Sequence, residues 1–119
     1  MEIINFDNSP SLVSQYLTEL RDVKVQNDML RFRRNLERIG QIMAYEISKC
    51  IRYKTVTIDT PLDKCDCRVI EDNIVLATIF RAGIPFHQGF LDYFDSAENA
   101  FVSAYRKSVS YTHLTLPTT

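Results

Sequence analysis

The sequence has little glycine, little proline and no long apolar run. It holds 3 glycines and 4 prolines in 119 residues, which excludes a collagenous or low-complexity chain. No apolar stretch approaches the ~20 residues that a membrane-spanning helix needs. The N-terminal segment carries Glu2 and Asp7 instead of a basic stretch followed by an apolar one, so we expect no signal peptide.

The charges nearly cancel, and cysteine is scarce. The sequence has 14 Lys and Arg residues against 15 Asp and Glu residues, so no global basic field indicates nucleic-acid binding. The 3 cysteines are an odd number and make no disulfide framework, which fits a reducing compartment. A length of 119 residues is enough for one domain and not for two. We therefore expect a cytoplasmic protein with no membrane and no nucleic-acid partner.

The final segment differs in composition from the rest of the chain. Residues 108–119 contain no Lys, Arg, Asp or Glu and contain four Thr. An edge strand from Val109 to Leu116, ended by Pro117, is one interpretation. Residues 109–118 also resemble the translation of a common sequencing-library adapter, and we favour this second interpretation. Residues 1–107 are then the natural sequence, and residues 108–119 are a non-native tail.

Two helices are expected before residue 51. The first helix is predicted to start at residues 8–10 (Asn-Ser-Pro) and to end at residues 21–22. A longer helix is predicted over residues 29–50, with an Asn-Asp cap at residues 27–28. The apolar face predicted for this second helix consists of Met29, Phe32, Leu36, Ile39, Met43, Ile47 and Cys50.

The sequence after residue 54 has the pattern of strands. Residues 55–60 and 65–70 alternate and are predicted to pair as a hairpin. The apolar run over residues 74–80 is typical of a strand buried on both faces in a parallel sheet. Pro85 stands where a helix can begin, and residues 100–105 are predicted to form a second buried strand. This strand, helix and strand make a βαβ unit, so the predicted fold class is α/β.

Two arginines follow the ends of these two strands. Arg81 comes directly after residues 74–80, and Arg106 directly after residues 100–105. Ligands of open α/β sheets bind beyond the carboxyl ends of the strands, and guanidinium groups suit phosphate. Gly83 would let the backbone approach a ligand, and the amides of residues 83–86 lie at a helix N-terminus that favours an anion. The spacing leaves two alternatives open, a phosphate or diphosphate site and a pair of solvated strand ends.

Several segments resemble the uracil phosphoribosyltransferases, in the same order along the chain. Residues 78–85, Thr-Ile-Phe-Arg-Ala-Gly-Ile-Pro, resemble the family's Leu-Arg-Ala-Gly-Leu loop, with Phe80 in place of the usual Leu. Residues 104–107 resemble the end of the strand with the family's second phosphate-binding arginine. The other matching segments are residues 20–22 (a Leu-Arg-Asp motif), 32–40 and 45–46 (the long second helix) and 57–61 (the paired strands).

The resemblance covers residues 10–107 and implies a glycosyltransferase of pyrimidine salvage. Such an enzyme transfers the phosphoribosyl group of 5-phosphoribosyl 1-diphosphate to uracil, giving UMP and diphosphate. Arg81 and Arg106 would contact the diphosphate, and Ala82 and Gly83 would shape the loop. The resemblance also implies Mg²⁺ on the sugar diphosphate, with no protein ligand assigned here, and a homo-oligomer for the intact enzyme.

The expected architecture is the N-terminal helices and hairpin plus the first βαβ unit of a truncated phosphoribosyltransferase sheet. The family's ribose-phosphate loop and Gly-rich uracil segment have no counterpart, since no acidic residue precedes a Thr-Gly-Gly or Thr-Gly-Ser string. We therefore expect the catalytic residues outside this chain, and we expect the chain to be inactive alone. Two alternatives stay open, a non-catalytic nucleotide- or RNA-binding regulator of the same fold and a helical-hairpin interaction module without anion affinity.

Other chemically active side chains have ordinary explanations. Cys65 and Cys67 lack a second cysteine pair, which indicates strand packing and no zinc site, so we assign no metal ligand. His87 is interpreted as a surface or core-edge histidine. The cluster of basic residues on the second helix indicates a solvated or subunit-interface face. This cluster consists of Arg31, Arg33, Arg34 and Arg38.

Overall fold

A computed structural model describes residues 3–103 and the backbone of residues 105–106 and 114–115. A 3₁₀ turn at Phe6–Asn8 precedes the main elements. No helix in the described part of the chain is long and apolar enough to cross a membrane. The main elements are α1 (Leu12–Arg21), α2 (Met29–Ser48), β1 (Tyr53–Asp59), β2 (Lys64–Ile70), β3 (Val75–Phe80), α3 (Ile84–Tyr93), β4 (Glu98–Ser103), β5 (Tyr105–Arg106) and β6 (Leu114–Thr115).

The first helix begins later than residues 8–10 predict. Ser11 caps α1, because its hydroxyl accepts from the Val13 N–H at 3.2 Å and its own N–H donates to Ser14 Oγ at 3.1 Å. The predicted start is wrong, since Asn8 belongs to the preceding 3₁₀ turn and Pro10 lies outside the helix. Two residues after the cap, Val13 is buried and anchors α1 to the core.

The second helix starts where the sequence predicts, and its buried face differs from the prediction. The Asp28 carboxylate accepts from the Arg31 N–H at 3.1 Å, and the helix ends at Ser48 instead of Cys50. Three members of the predicted apolar face are exposed, Met29 at 64%, Ile47 at 41% and Cys50, whereas Ile39 is buried as predicted. The buried positions are Asn35, Ile39, Gly40 and Ala44. Small residues occupy this face because α3 packs directly against it.

Glycines bring the backbones of α2 and α3 together. A Cβ on Gly40 would lie 2.6 Å from the Phe86 carbonyl oxygen and 3.3 Å from the Gly89 Cα. A Cβ on Gly89 would meet the Glu37 carbonyl oxygen and lie 3.0 Å from the amide nitrogen of Gln41. The Gln41 side-chain amide also donates to Asp92 Oδ2 at 2.9 Å, which links the two helices on their exposed side. These contacts fix α3 against α2.

The predicted hairpin is confirmed. β1 and β2 pair antiparallel, with Tyr53 opposite Ile70 and Asp59 opposite Lys64. At its base, the backbone N–H and Nε of Arg52 donate to the two carboxylate oxygens of Asp72, each at 2.8 Å. These hydrogen bonds, the backbone one first, hold the pKa of Asp72 below its ordinary value. Beyond its junction with α2, the hairpin packs against no other described helix or strand.

The βαβ unit is confirmed, with two corrections. β3 and β4 pair parallel, from Val75 opposite Glu98 to Phe80 opposite Ser103. The second strand therefore covers residues 98–103 instead of 100–105, because its pairing ends where β3 ends. The predicted burial of β3 on both faces is also wrong, since Ile79 is 55% exposed. α3 covers one face of β3, and no element of the described chain covers the other.

Replacing Gly89 by Ala tests the contact between α2 and α3. We expect the free energy of unfolding to fall by about 1–3 kcal/mol, because the new methyl group would press on the α2 backbone. Helix propensity alone would act in the opposite direction, by about 0.8–1 kcal/mol. Urea denaturation measures the difference, with Arg68→Ala, at an exposed position of β2, as the control. A Gly89→Ala variant as stable as the wild type would contradict the close contact.

Candidate functional site

Arg81 lies at the carboxyl edge of the parallel pair, as the sequence predicts. It follows Phe80, the last residue of β3, and Phe80 stands opposite Ser103, the last residue of β4. Arg81 is exposed, and none of the carboxylates that the structure describes pairs with it. Its positive charge is therefore available to an anionic ligand at the edge where open α/β sheets bind their ligands.

The amides of the loop are used within the loop itself. The Gly83 N–H donates to the Ile79 carbonyl at 3.2 Å, and the Ile84 N–H donates to the Arg81 carbonyl at 3.0 Å. Pro85 has no N–H to offer. Residues 83–86 lie at the N-terminus of α3, as predicted, and the amides of Gly83 and Ile84 are already used in these two hydrogen bonds. Arg81 is the charged residue of this loop, and its binding of an anion stays a prediction.

Gly83 has a steric role within the loop. A Cβ at this position would meet Thr78 Oγ1 and lie 2.9 Å from the Ile79 carbonyl oxygen. Its backbone has φ −76° and ψ −8°, a conformation open to any residue, so steric room and not backbone strain calls for glycine here. Gly83 thus lets the loop fold back on β3. Its close approach to a ligand stays a prediction.

The position of Arg106 differs from the prediction. β4 ends at Ser103, and Arg106 lies in the separate strand β5, opposite Leu114 of β6. It does not directly follow the parallel strand, because the pairing with β3 runs out at Phe80. The side chain of Arg106 lies outside the described residues, so its approach to Arg81 stays a prediction. Ser103, which the sequence did not single out, occupies the end of β4 instead.

His87 lies at the inner face of α3, as a core-edge histidine. It is buried, and its Nε2–H donates to Asn99 Oδ1 at 2.6 Å. Its ring lies 5.0 Å from that of Phe101. A cavity of about 270 Å³ opens beside it between α3 and β3, and its lining has no Lys, Arg, Asp or Glu. This cavity is therefore unsuited to a diphosphate.

Most of the basic cluster on α2 makes internal contacts. Arg31 Nη1 lies 2.9 Å from Glu19 Oε1, and this hydrogen bond lowers the pKa of Glu19. Arg34 pairs with Glu37 at 3.1 Å. Arg38 donates to Asn35 Oδ1 at 3.1 Å. These contacts tie α1 to α2 or lie along α2, and the side chains of Arg31 and Arg34 stay 50% and 60% exposed.

The described residues do not fit a protein-held Mg²⁺ ion. Among them, no group of three or more His, Cys, Asp or Glu side chains is placed to hold a metal. Mg²⁺ takes near-octahedral oxygen coordination, most often from carboxylates, water and substrate phosphates. We therefore assign no step of a reaction to a metal bound by these side chains.

Two helices, a hairpin and a parallel βαβ unit with an arginine loop at its carboxyl edge define the fold as α/β. A solved structure of the same fold is "Structure of AQ2163 protein from Aquifex aeolicus", with a TM-score of 0.75 and 23% identity. The superposition covers 90% of this chain and 51% of that one.

The sequence comparisons give the family. The family model of uracil phosphoribosyltransferase matches residues 8–118, and the chain belongs to this family. The uracil phosphoribosyltransferase of Porphyromonas gingivalis is 58% identical over 107 residues, which cover 90% of this chain and 50% of the relative. That of Pyrococcus furiosus is 37% identical over 106 residues, 87% of this chain and 44% of the relative. The chain thus spans about half the length of the curated relatives it matches.

Replacing Gly83 by Ala tests how the loop is held. We expect unfolding to become easier by about 1–3 kcal/mol, because the added methyl group meets Thr78 and the Ile79 carbonyl. Amide resonances of residues 80–84 should move as the loop is displaced from β3. Thermal unfolding and nuclear magnetic resonance measure the two effects, and Ala82→Ser, at an exposed neighbour, is the control. Unchanged stability and unchanged loop resonances in Gly83→Ala would refute this packing.

Proposed function

We propose that this chain supplies the diphosphate-binding side of a uracil phosphoribosyltransferase. The observation that carries the proposal is Arg81, an exposed guanidinium at the carboxyl edge of the parallel pair with no carboxylate partner among the described residues. Family membership supports the substrate, 5-phosphoribosyl 1-diphosphate, and the acceptor, uracil. The products are then UMP and diphosphate, and the reaction belongs to pyrimidine salvage.

The chemistry of the leaving group explains the need for a fixed positive charge. As the bond from ribose C1 to the diphosphate oxygen breaks, the oxygen keeps the electron pair and negative charge grows on the diphosphate. Uracil N1 forms the new bond to C1 and loses its proton. A guanidinium held at the diphosphate stabilises the departing charge, and it does so best when it is already in place. Gly83 helps to keep the guanidinium of Arg81 in place, because it lets the loop pack against β3.

The remaining parts of the site follow from the same assignment. We propose Ala82 and Gly83 as the loop residues beside the diphosphate, and Arg106 as its second contact. The Mg²⁺ ion enters as part of the sugar diphosphate substrate. The catalytic residues and the uracil site lie in the half of the relatives that this chain does not match. The intact enzyme is a cytoplasmic homo-oligomer in this proposal.

The other classes of function gain no support. The two relatives described above carry the name of the enzyme, which does not favour a regulator that binds nucleotides or RNA. The interaction module leaves the parallel βαβ unit unexplained and predicts no anion affinity at Arg81. The enzyme therefore remains the single function proposed.

Replacing Arg81 by Gln tests the diphosphate assignment. A hydrogen bond to a charged group contributes about 1.5–3 kcal/mol, so we expect inorganic diphosphate to bind about 10- to 150-fold more weakly to the variant. Isothermal titration calorimetry measures the two affinities. Arg68→Gln removes an exposed arginine of the hairpin and is the matched control. Equal affinities of wild type and Arg81→Gln would overturn the assignment.

An assay of the chain alone tests where the rest of the machinery lies. We expect no UMP from uracil, 5-phosphoribosyl 1-diphosphate and Mg²⁺ above a blank without protein, because the chain matches only about half of each relative. Chromatographic detection of UMP is the measurement. The Porphyromonas gingivalis relative serves as the positive control. Measurable turnover by the chain would show that the residues needed for catalysis are already present.

A further inference from the structure

The hairpin carries two thiols that the proposed function does not use. Cys65 and Cys67 lie on β2 two residues apart, so both side chains point to the same face of the hairpin. Their Sγ atoms are 3.8 Å apart. Cys65 is exposed and Cys67 is half-buried, so the sequence-based interpretation of Cys65 as a packing residue is wrong.

We propose that Cys65 and Cys67 bind one soft, thiophilic divalent ion, such as Zn²⁺ or Cd²⁺, through both sulfur atoms. In a tetrahedral site with Zn–S bonds of about 2.3 Å, two thiolates lie about 3.8 Å apart. The Sγ atoms already have this separation, so the ion needs no movement of the backbone. The bonds that form are two metal–sulfur bonds, and the two thiol protons pass to solvent.

The hairpin holds the two thiols in a fixed relation. Val56 stands opposite Cys67 and Ile58 opposite Cys65, so the pair lies beside aliphatic side chains of β1 on the same face. Asp66 points to the other face, where its Oδ1 accepts from the Thr57 hydroxyl at 2.7 Å. This carboxylate is therefore turned away from the thiols, and the site takes a ligand for its sulfur atoms alone.

The site is open, unlike a structural zinc site with four protein ligands. No third His, Cys, Asp or Glu joins the pair among the residues that the structure describes. Water or a small thiol would complete the tetrahedron, and the ion would be exchangeable. A disulfide fits this geometry less well, because alternate strand residues have Cα atoms about 6.6 Å apart, near the upper limit for a disulfide.

Titration of the reduced chain with Cd²⁺ tests the proposal. Thiolate-to-metal charge-transfer absorption follows binding, and native mass spectrometry gives the stoichiometry, expected to be one ion per chain. The second thiolate binds intramolecularly, so Cys65→Ser and Cys67→Ser should each weaken binding by about 100-fold or more. Cys50→Ser, two residues beyond the end of α2, is the matched control and should bind like the wild type.

Three results would overturn the proposal. They are no binding by the wild type, binding by Cys65→Ser or Cys67→Ser that equals that of the wild type, and loss of binding in Cys50→Ser. Circular dichroism of each variant shows whether the fold is kept, and serine, which differs from cysteine by one atom, should preserve it at both positions. The thiols lie in the β1–β2 sheet and Arg81 follows the separate β3–β4 sheet, so Arg81→Gln should leave Cd²⁺ binding unchanged. The outcome is thus independent of the diphosphate assignment.

Discussion

The backbone contact between α2 and α3 is the constraint on which the rest of the described structure depends. Gly40 and Gly89 bring the two helices together, and Gly83 brings the start of α3 against β3. These are all 3 glycines of the chain, and none of the three positions has room for a Cβ. All the glycines of the chain therefore stand where α3 or the loop before it approaches a neighbouring element. Arg81 lies in the short loop between β3 and α3, two residues before Gly83.

Charge pairing distinguishes Arg81 from several arginines elsewhere in the fold. Arg31 and Arg52 each meet a carboxylate within 3 Å, and each lowers the pKa of that carboxyl group. Such pairs join one element to another. Arg81 has no carboxylate partner within the described residues and stands at the edge of the parallel strands. A positive charge left without an internal partner at that edge is what an anionic substrate requires.

Local patterns predicted the elements, and tertiary contacts decided what the patterns left open. The hairpin, the βαβ unit and the start of α2 at Met29 follow from alternation, periodicity and caps in the sequence. The buried face of α2 could not be predicted in this way, because a small residue such as Gly40 becomes a contact surface only when α3 is present. The end of β4 at Ser103 depends on its register with β3, and the role of Gly83 depends on Thr78. Neither is visible in a single segment of sequence.

The central claim is that Arg81 binds the diphosphate of the substrate. Nuclear magnetic resonance of the arginine side-chain Nε–H groups, during titration with 5-phosphoribosyl 1-diphosphate, tests this claim most directly. The account predicts a saturable shift of the Arg81 signal, while the signals of Arg31 and Arg52, which already meet carboxylates, stay in place. An Arg81 signal that does not move, or equal shifts of all three signals, would contradict it.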